Sequence, residues 1–249
     1  MEEENNNIFG LLGKNISYSF SKGYFKEKFK KKKLKNYKYV NFDIDNINDF
    51  KNCIKDKNIK GLNVTIPYKE AIIPFLDKLD ATAKKIGAVN TVKITKKGIL
   101  KGYNSDVVGF ENSIKPLLKK HHKNALILGT GGASKAIAFA FKRNGIGYKF
   151  VSRNPTNKNQ IAYNLLSEDI ISKYNIIVNC TPLGTFPDTQ NYPKIPYHFL
   201  SNKHLLYDLI YNPEITVFLE KGKKQGTIIK NGLEMLQLQA EESWRIWNS

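Results

Sequence analysis

An α/β fold is what this sequence predicts, and three observations carry the prediction. The stretch 124–154 reads as strand, glycine turn, helix and strand, which is one βαβ unit. Short apolar runs at Ile8 to Leu12, Tyr39 to Phe42 and Leu62 to Ile66 alternate with helix-patterned segments. With 249 residues, the chain has length for two modest cores.

Ile8 to Leu12 reads as a buried strand. A hydroxyl cluster follows, Ser17-Tyr18-Ser19-Phe20-Ser21, and leads into a helix through Tyr24, Phe25 and Phe29. In the plainest reading Ser19 or Ser21 caps that helix. Tyr39 to Phe42 is a second strand and Ile47 to Lys55 a helix. The strand Leu62 to Ile66 must end at Pro67, which has no N–H for a ladder. Thr65 and Lys69 are thereby delivered to the C-terminal end of a strand and the start of the next helix, where open α/β sheets place ligands. Asn90 is an amide within an otherwise apolar strand, Ala88 to Val92. Asp106 stands where a long helix, Val107 to Lys119, begins, a position that also suits an N-cap.

The βαβ unit opens with Ala125 to Leu128. The turn Gly129-Thr130-Gly131-Gly132-Ala133-Ser134 comes next, then a helix from Lys135 to Asn144. Glycines there let backbone N–H groups approach a pyrophosphate, and the helix N-terminus stabilises the anion. Ser134 takes the place of the third glycine or alanine. Gly145 and Gly147 stop the helix, and Tyr148 to Val151 forms the next strand. After it comes Ser152-Arg153-Asn154, with no carboxylate to accept from a ribose 2′-OH. A guanidinium suits a 2′-phosphate instead. Arginine is scarce here, since only Arg143, Arg153 and Arg245 are found among 40 basic residues. These residues favour NADP(H) over NAD(H). A last amphipathic helix opens near Gly232 and ends at Trp244 and Trp247.

At 41% hydrophobic and 12% aromatic, the composition is that of a globular protein. The net charge of +18 raises a nucleic-acid reading, whose mark would be steeply salt-dependent binding without redox activity. Against it, the excess is nearly all lysine and spread along the chain. The densest run, Lys26 to Lys38, matches no nucleic-acid module. Cys53 and Cys180 read as core thiols rather than a disulfide or metal pair, which suits a reducing compartment. The four histidines lack metal-ligand spacing, so no metal is expected. No run approaches a membrane span, and the acidic start Met1-Glu2-Glu3-Glu4 is no signal peptide, so a cytoplasmic protein is expected.

Taken in order, these stretches resemble shikimate dehydrogenases along nearly the whole chain. The matching pieces are the Ser-x-Ser loop, Asn63-Val64-Thr65-Ile66-Pro67-Tyr68-Lys69, Ala88-Val89-Asn90-Thr91 and Asn104-Ser105-Asp106. To them are added the glycine turn, Asn179-Cys180-Thr181-Pro182, Tyr207-Asp208-Leu209-Ile210-Tyr211 and the Gly-Leu-x-Met-Leu helix at 232–236. The resemblance implies NADPH-dependent reduction of 3-dehydroshikimate to shikimate in aromatic amino-acid biosynthesis. It implies two α/β domains flanking a cleft: a substrate domain of residues 1–105 completed by the helix 232–249, and a Rossmann-like NADP-binding domain of 106–231. Lys69 and Asp106 match the catalytic pair, and Ser19 and Ser21 the hydroxyls that bind the substrate carboxylate. Asn63, Thr65, Asn90, Tyr211 and Gln239 match positions facing the substrate ring. Cofactor contacts fall on Gly129, Gly131, Gly132, Ala133, Ser134, Ser152, Arg153, Thr181 and Gly232. The implied partner is a small-molecule substrate, with no nucleic acid or membrane, in a monomer or homodimer.

Three departures stand out. Tyr18 replaces a frequent histidine, Asn157 stands where a second arginine is usual, with Lys158 next to it, and the chain stops at Ser249, short of a last helix in longer members. The nearest rival, a quinate/shikimate dehydrogenase using NAD, would want an acidic residue near Arg153. A non-catalytic Rossmann sensor would leave Lys69, Asp106, Ser19 and Ser21 as coincidences.

Overall fold

The computed structural model describes residues 6–17, 19–55 and 57–249. Tyr18 and the acidic N-terminus, singled out above, lie outside these. The described chain forms two compact units, one reaching to Ser105 and including Ala240–Ser249, the other Asp106–Gln239.

In the first unit, β1 (Asn7–Gly13), α1 (Phe20–Lys31), β2 (Tyr37–Asp43), α2 (Phe50–Ile54) and β3 (Ile59–Val64) lead to α3 (Tyr68–Ala71). β4 (Lys78–Leu79), α4 (Ala81–Ile86), β5 (Thr91–Ile94) and β6 (Leu100–Tyr103) follow. Among the described residues the sheet has six strands in the order β2-β1-β3-β5-β6-β4. β1 pairs in parallel with β2 and β3, while β5 runs antiparallel to both β3 and β6. Alternation along β1 divides the core between the two faces of the sheet. Leu12 packs with Phe42, Phe50, Leu62 and Ile72 on one side. Phe9 and Leu11 pack with Phe25, Phe29 and Trp247 on the other. Gly61 makes that second face possible, because a Cβ there would lie 2.2 Å from the Trp247 ring. The indole N–H donates to the Val92 carbonyl at 3.1 Å, which anchors the C-terminal helix to the sheet.

The second unit opens with α5 (Asp106–Ile114) and continues β7 (Asn124–Leu128), α6 (Gly132–Arg143), β8 (Gly147–Ser152) and β9 (Gln160–Ala162). It then runs α7 (Glu168–Lys173), β10 (Ile176–Asn179), β11 (Leu205–Asp208), α8 (Val217–Lys224), β12 (Ile228–Lys230) and α9 (Leu233–Asn248). Its sheet is ordered β12-β11-β10-β7-β8-β9, with every pairing parallel. That is the doubly wound dinucleotide-binding order, whose direction reverses between the first and fourth strands, here β7 and β10. The central strands β7, β10 and β11 are buried on both faces, so they read as continuous apolar runs rather than alternating ones.

Three boundaries differ from the sequence reading, each for a local reason. The helix expected from Val107 to Lys119 ends at Ile114 and tightens into a 3-10 turn, because Pro116 cannot continue the ladder. Asn90 lies just before β5 rather than within it, although its carbonyl still accepts from Val64 N at 2.8 Å. The final helix is shared, with its turns up to Gln239 packing in the second unit and the rest in the first. Gly109 permits that packing, since a Cβ there would lie 2.6 Å from the Met235 carbonyl oxygen. Cys53 and Cys180 are in no disulfide and are half-buried rather than core residues. No helix among the described residues is long and apolar enough to cross a membrane.

Candidate active site

In the first unit the polar residues gather at the C-terminal end of β3. Thr65 N donates to the Leu12 carbonyl at 2.9 Å, and the Thr65 carbonyl accepts from Tyr68 N at 2.9 Å, turning the chain at Pro67 into α3. The Tyr68 hydroxyl donates to the Ile44 carbonyl at 2.7 Å and pins α3 to the sheet. Lys69, half-buried, accepts through its carbonyl from Val89 N at 2.7 Å. That bond sets the lysine beside the segment bearing Asn90. Thr65, Lys69 and Asn90 are therefore local neighbours, though the chain separates them by up to 25 residues.

The hydroxyl loop before α1 is held from the sheet. Asp43 accepts from Asn15 N at 2.8 Å and Ile16 N at 3.0 Å, and Asn41 Nδ2 donates to the Ile16 carbonyl at 2.9 Å. Ser19 is the N-cap of α1, its Oγ accepting from Ser21 N at 3.2 Å. Capping and anion binding suit the same place, since the helix N-terminus presents donors and a positive dipole end. Ser21 hydrogen-bonds the Tyr39 hydroxyl, whose pKa burial pushes well up. That hydroxyl donates to Asn63 Oδ1 at 2.8 Å.

Asn63 itself is almost fully buried. Its Nδ2 donates to Ser243 Oγ at 2.8 Å and, at 3.4 Å, to the Asn90 carbonyl. The amide expected to face a ligand is thus engaged internally. Asn90 Oδ1 accepts from Ser105 N at 2.7 Å, so Asn90 fixes the backbone immediately before Asp106. Asp106, 2% exposed, is the first residue of α5 and of the second unit.

In the second unit the cofactor candidates and Tyr211 follow the C-terminal ends of parallel strands: Gly129 after β7, Ser152 and Arg153 at β8, Thr181 after β10, Tyr211 after β11 and Gly232 after β12, whereas Asp106 and Gln239 lie on α5 and α9. Gly129 has φ +100°, a conformation that L side chains rarely adopt. A Cβ on it would sit 3.2 Å from Thr181 Cγ2, so the turns after β7 and β10 meet at the switch point. Asn179 Oδ1 holds Thr181 through its N–H at 3.0 Å and its hydroxyl at 2.7 Å. Asn179 Nδ2 donates to Asp208 Oδ1 at 3.0 Å. Asp208 also accepts from Ile210 N and from the Thr216 hydroxyl, yet burial outweighs these bonds and pushes its carboxyl up to about 6.

Gly131 is the N-cap of α6 and carries no side-chain cap, and a Cβ on it would meet nothing within 4 Å. The N-terminus of α6 is thus uncapped by a side chain and uncrowded at Gly131, which suits an anion cradle. Gly132 and Ala133 form the half-buried first turn. Ser134 closes it, donating to the Gly131 carbonyl at 2.6 Å. That hydroxyl bond accounts for serine in the third place of the motif. Ser152 Oγ accepts from Asn154 N at 3.2 Å and leaves Arg153 exposed, near Tyr163, whose hydroxyl burial pushes up to about 12. Asn157 Oδ1 is used within its own turn, accepting from Asn159 N. Gly232 is packed tightly, since a Cβ there would lie 2.1 Å from the Leu209 carbonyl oxygen. Tyr211 and Gln239 are half-buried in this unit.

Sequence reading missed Tyr39, Asp43, Asn179 and Ser243, which hold the candidates rather than presenting groups themselves. Asn179 lay within a matching motif, so a signal for it existed; the others had none.

Known proteins share this arrangement. Residues 11–92 match a family model described as the shikimate dehydrogenase substrate binding domain. The NADP(+) shikimate dehydrogenase of Methanococcus vannielii is 39% identical, over 96% of this chain and 90% of that protein. Shikimate dehydrogenase 1 of Peptoclostridium difficile superposes with a TM-score of 0.87 at 38% identity, covering 97% of this chain and 91% of its own. A shikimate dehydrogenase solved in complex with NADP+ superposes at 0.86 with 32% identity, covering 99% and 91%.

Proposed function

This chain belongs to the shikimate dehydrogenase family, and from that premise we propose how its own residues reduce 3-dehydroshikimate to shikimate with NADP(H). The observation that carries the reading is the gathering of Thr65, Lys69 and Asn90 at the C-terminal end of β3. Ser19 and Ser21, at the N-terminus of α1, bind the substrate carboxylate by hydroxyl hydrogen bonds in a favourable dipole field. Thr65 and Asn90 orient the ring hydroxyls, and Tyr211 and Gln239 are carried over from the family resemblance as further substrate positions. Asn63 does its part indirectly, since its amide is engaged by Tyr39 and Ser243.

The second unit's residues fit the dinucleotide. Gly129, Gly131, Gly132, Ala133 and Ser134 leave backbone N–H groups open for a pyrophosphate. Ser152 and Arg153 present a hydroxyl and a guanidinium to a 2′-phosphate, while Thr181 and Gly232 line the ends of β10 and β12. NADPH, when bound, supplies the hydride. As negative charge develops on the ketone oxygen, the Lys69 ammonium gives it a proton. Asp106 hydrogen-bonds the hydroxyl so formed and orients the lysine. In the reverse direction the alcohol proton returns to Lys69.

The test follows nicotinamide absorbance with shikimate and with quinate, each against NADP+ and NAD+. Shikimate with NADP+ should give the highest kcat/KM. An advantage for quinate with NAD+ would overturn the assignment. Two half-buried cysteines in no disulfide suit a reducing cytoplasm, and sedimentation will decide between monomer and homodimer.

A further inference from the structure

We propose that Ser243, on the C-terminal helix, is a positioning residue that fixes the amide of Asn90 for substrate. The proposal rests on the reading that Asn90 faces the substrate ring. Ser243 is fully buried. Its Oγ lies 2.8 Å from Asn63 Nδ2, 2.8 Å from Thr91 Oγ1 and 3.1 Å from Ser105 Oγ. A hydroxyl has one proton and two lone pairs, so three partners occupy it fully.

Proton counting fixes the direction of these bonds. Ser105 N can only donate, so the Asn90 atom it meets at 2.7 Å is the carbonyl oxygen, and Nδ2 faces Ser105 Oγ at 3.0 Å. Thr91 Oγ1 lies 3.0 Å from Asn90 Oδ1 and donates to it. With its proton spent, Thr91 accepts from Ser243. Ser105, already accepting from Asn90 Nδ2, sends its own proton to Ser243. The result is a closed ring in one sense: Asn90 to Ser105, Ser105 to Ser243, Ser243 to Thr91, Thr91 to Asn90. This sense gives up the 3.2 Å alternative from Ser105 Oγ to Asn90 Oδ1 and the 3.1 Å contact between Thr91 Oγ1 and Ser105 Oγ. The opposite sense gives up the shorter 3.0 Å bond from Thr91.

Asn90, Thr91 and Ser105 come from sheet strands and their flanks, and Ser243 alone comes from the helix that closes the ring. It also takes the second amide, since Asn63 Nδ2 donates into it. Without the Ser243 hydroxyl, Thr91 loses its donor and Ser105 is free to turn onto Asn90 Oδ1. The Asn90 side chain then loses its fixed orientation while keeping its identity. Buried, satisfied networks of this kind rigidify the groups they join, and here both senses of the ring pass through the Ser243 hydroxyl.

The experiment compares Ser243→Ala, Thr91→Val, the double variant and Asn90→Ala in the full-length enzyme. KM for shikimate, KM for NADP+, kcat and thermal midpoint are measured for each. Ser243→Ala should raise KM for shikimate about three- to tenfold, the net worth of one hydrogen bond, with KM for NADP+ unchanged. Thr91→Val should do the same, and the double variant should be no worse than the worse single one, because both break one ring. Should Ser243→Ala fold poorly, Thr91→Val alone still reads the ring. A lowered midpoint with an unaltered KM for shikimate, or effects that multiply, would overturn the proposal. If Asn90→Ala raises KM while the hydroxyl variants do not, this inference alone fails. If Asn90→Ala leaves KM unchanged, the placement of Asn90 against substrate fails instead.

Discussion

The first unit holds its candidate groups by side chains and buries the scaffold. Asn63, Asn90, Thr91, Ser105 and Ser243 are all at most 7% exposed and bonded to one another. The second unit offers mainly backbone: a glycine with positive φ, an uncapped helix N-terminus and one exposed arginine at a strand end. A pre-wired amide discriminates among ring hydroxyls because a wrong partner leaves a buried group unpaired. An open N–H cradle accepts any pyrophosphate, so discrimination there falls to the residue at the end of β8. On the proposed assignment, substrate specificity rests on side chains and cofactor specificity on backbone and one arginine.

The largest effect that would break this contrast is at Lys69. Lys69→Ala should lower kcat by about a hundred- to ten-thousand-fold, the range for positioned proton transfer, with little change in KM for NADP+. Steady-state rates with shikimate and NADP+ check it. Near-normal turnover would remove chemistry from the first unit altogether.

The next effect concerns Asp208, a buried carboxylate of the second unit. Asp208 titrates at about 6 when folded and 3.8 when free, so the folded state keeps its proton to higher pH. Its contribution to stability is therefore fully present below about pH 4 and is lost as pH rises through about 6, on the order of 3 kcal/mol in all. Asp208→Asn should flatten that part of the curve and raise stability at pH 7. An amide fits, since its oxygen still accepts from Asn179 and Ile210 while its nitrogen donates to Thr216. Urea melts of both proteins from pH 4 to 8 decide it. An equal slope in the two would show that the Asp208 carboxyl titrates alike in the folded and unfolded states.

How much was legible beforehand follows the same division. The backbone site is local in sequence: strand, Gly129 to Ser134, helix and Arg153 stand in one run of about thirty residues, and glycine spacing encodes the turn. Pro67 marked where β3 must release Thr65 and Lys69, and the strand stopped slightly earlier, at Val64. The side-chain site is nonlocal. Ser243 meets Thr91 across 152 residues and Asn63 across 180, and no periodicity records such a meeting. Tyr39 was legible only as a member of a strand and Asp43 fell just beyond its expected end, although they hold Asn63 and the hydroxyl loop. Pro116 was legible as a helix breaker, but its effect was missed because the apolar pattern runs past it.

The smallest effect sharpens the comparison most, because it tests whether one exposed side chain can set cofactor choice. Arg153 stands at the end of β8 with Ser152 and Asn154, and Asn157 is committed to its own turn. A charge-assisted bond is worth about 1.5–3 kcal/mol, reduced where solvent screens the pair. Arg153→Ala should therefore raise KM for NADP+ about tenfold while leaving NAD+ kinetics unchanged, since NAD+ offers no 2′-phosphate to lose. The effect should shrink with added salt, as an exposed ion pair must. Equal losses for both cofactors would assign Arg153 to the cradle rather than to the phosphate, and Lys158 would become the residue to replace. A loss confined to NADP+ would show that the backbone cradle is indifferent and the guanidinium selective.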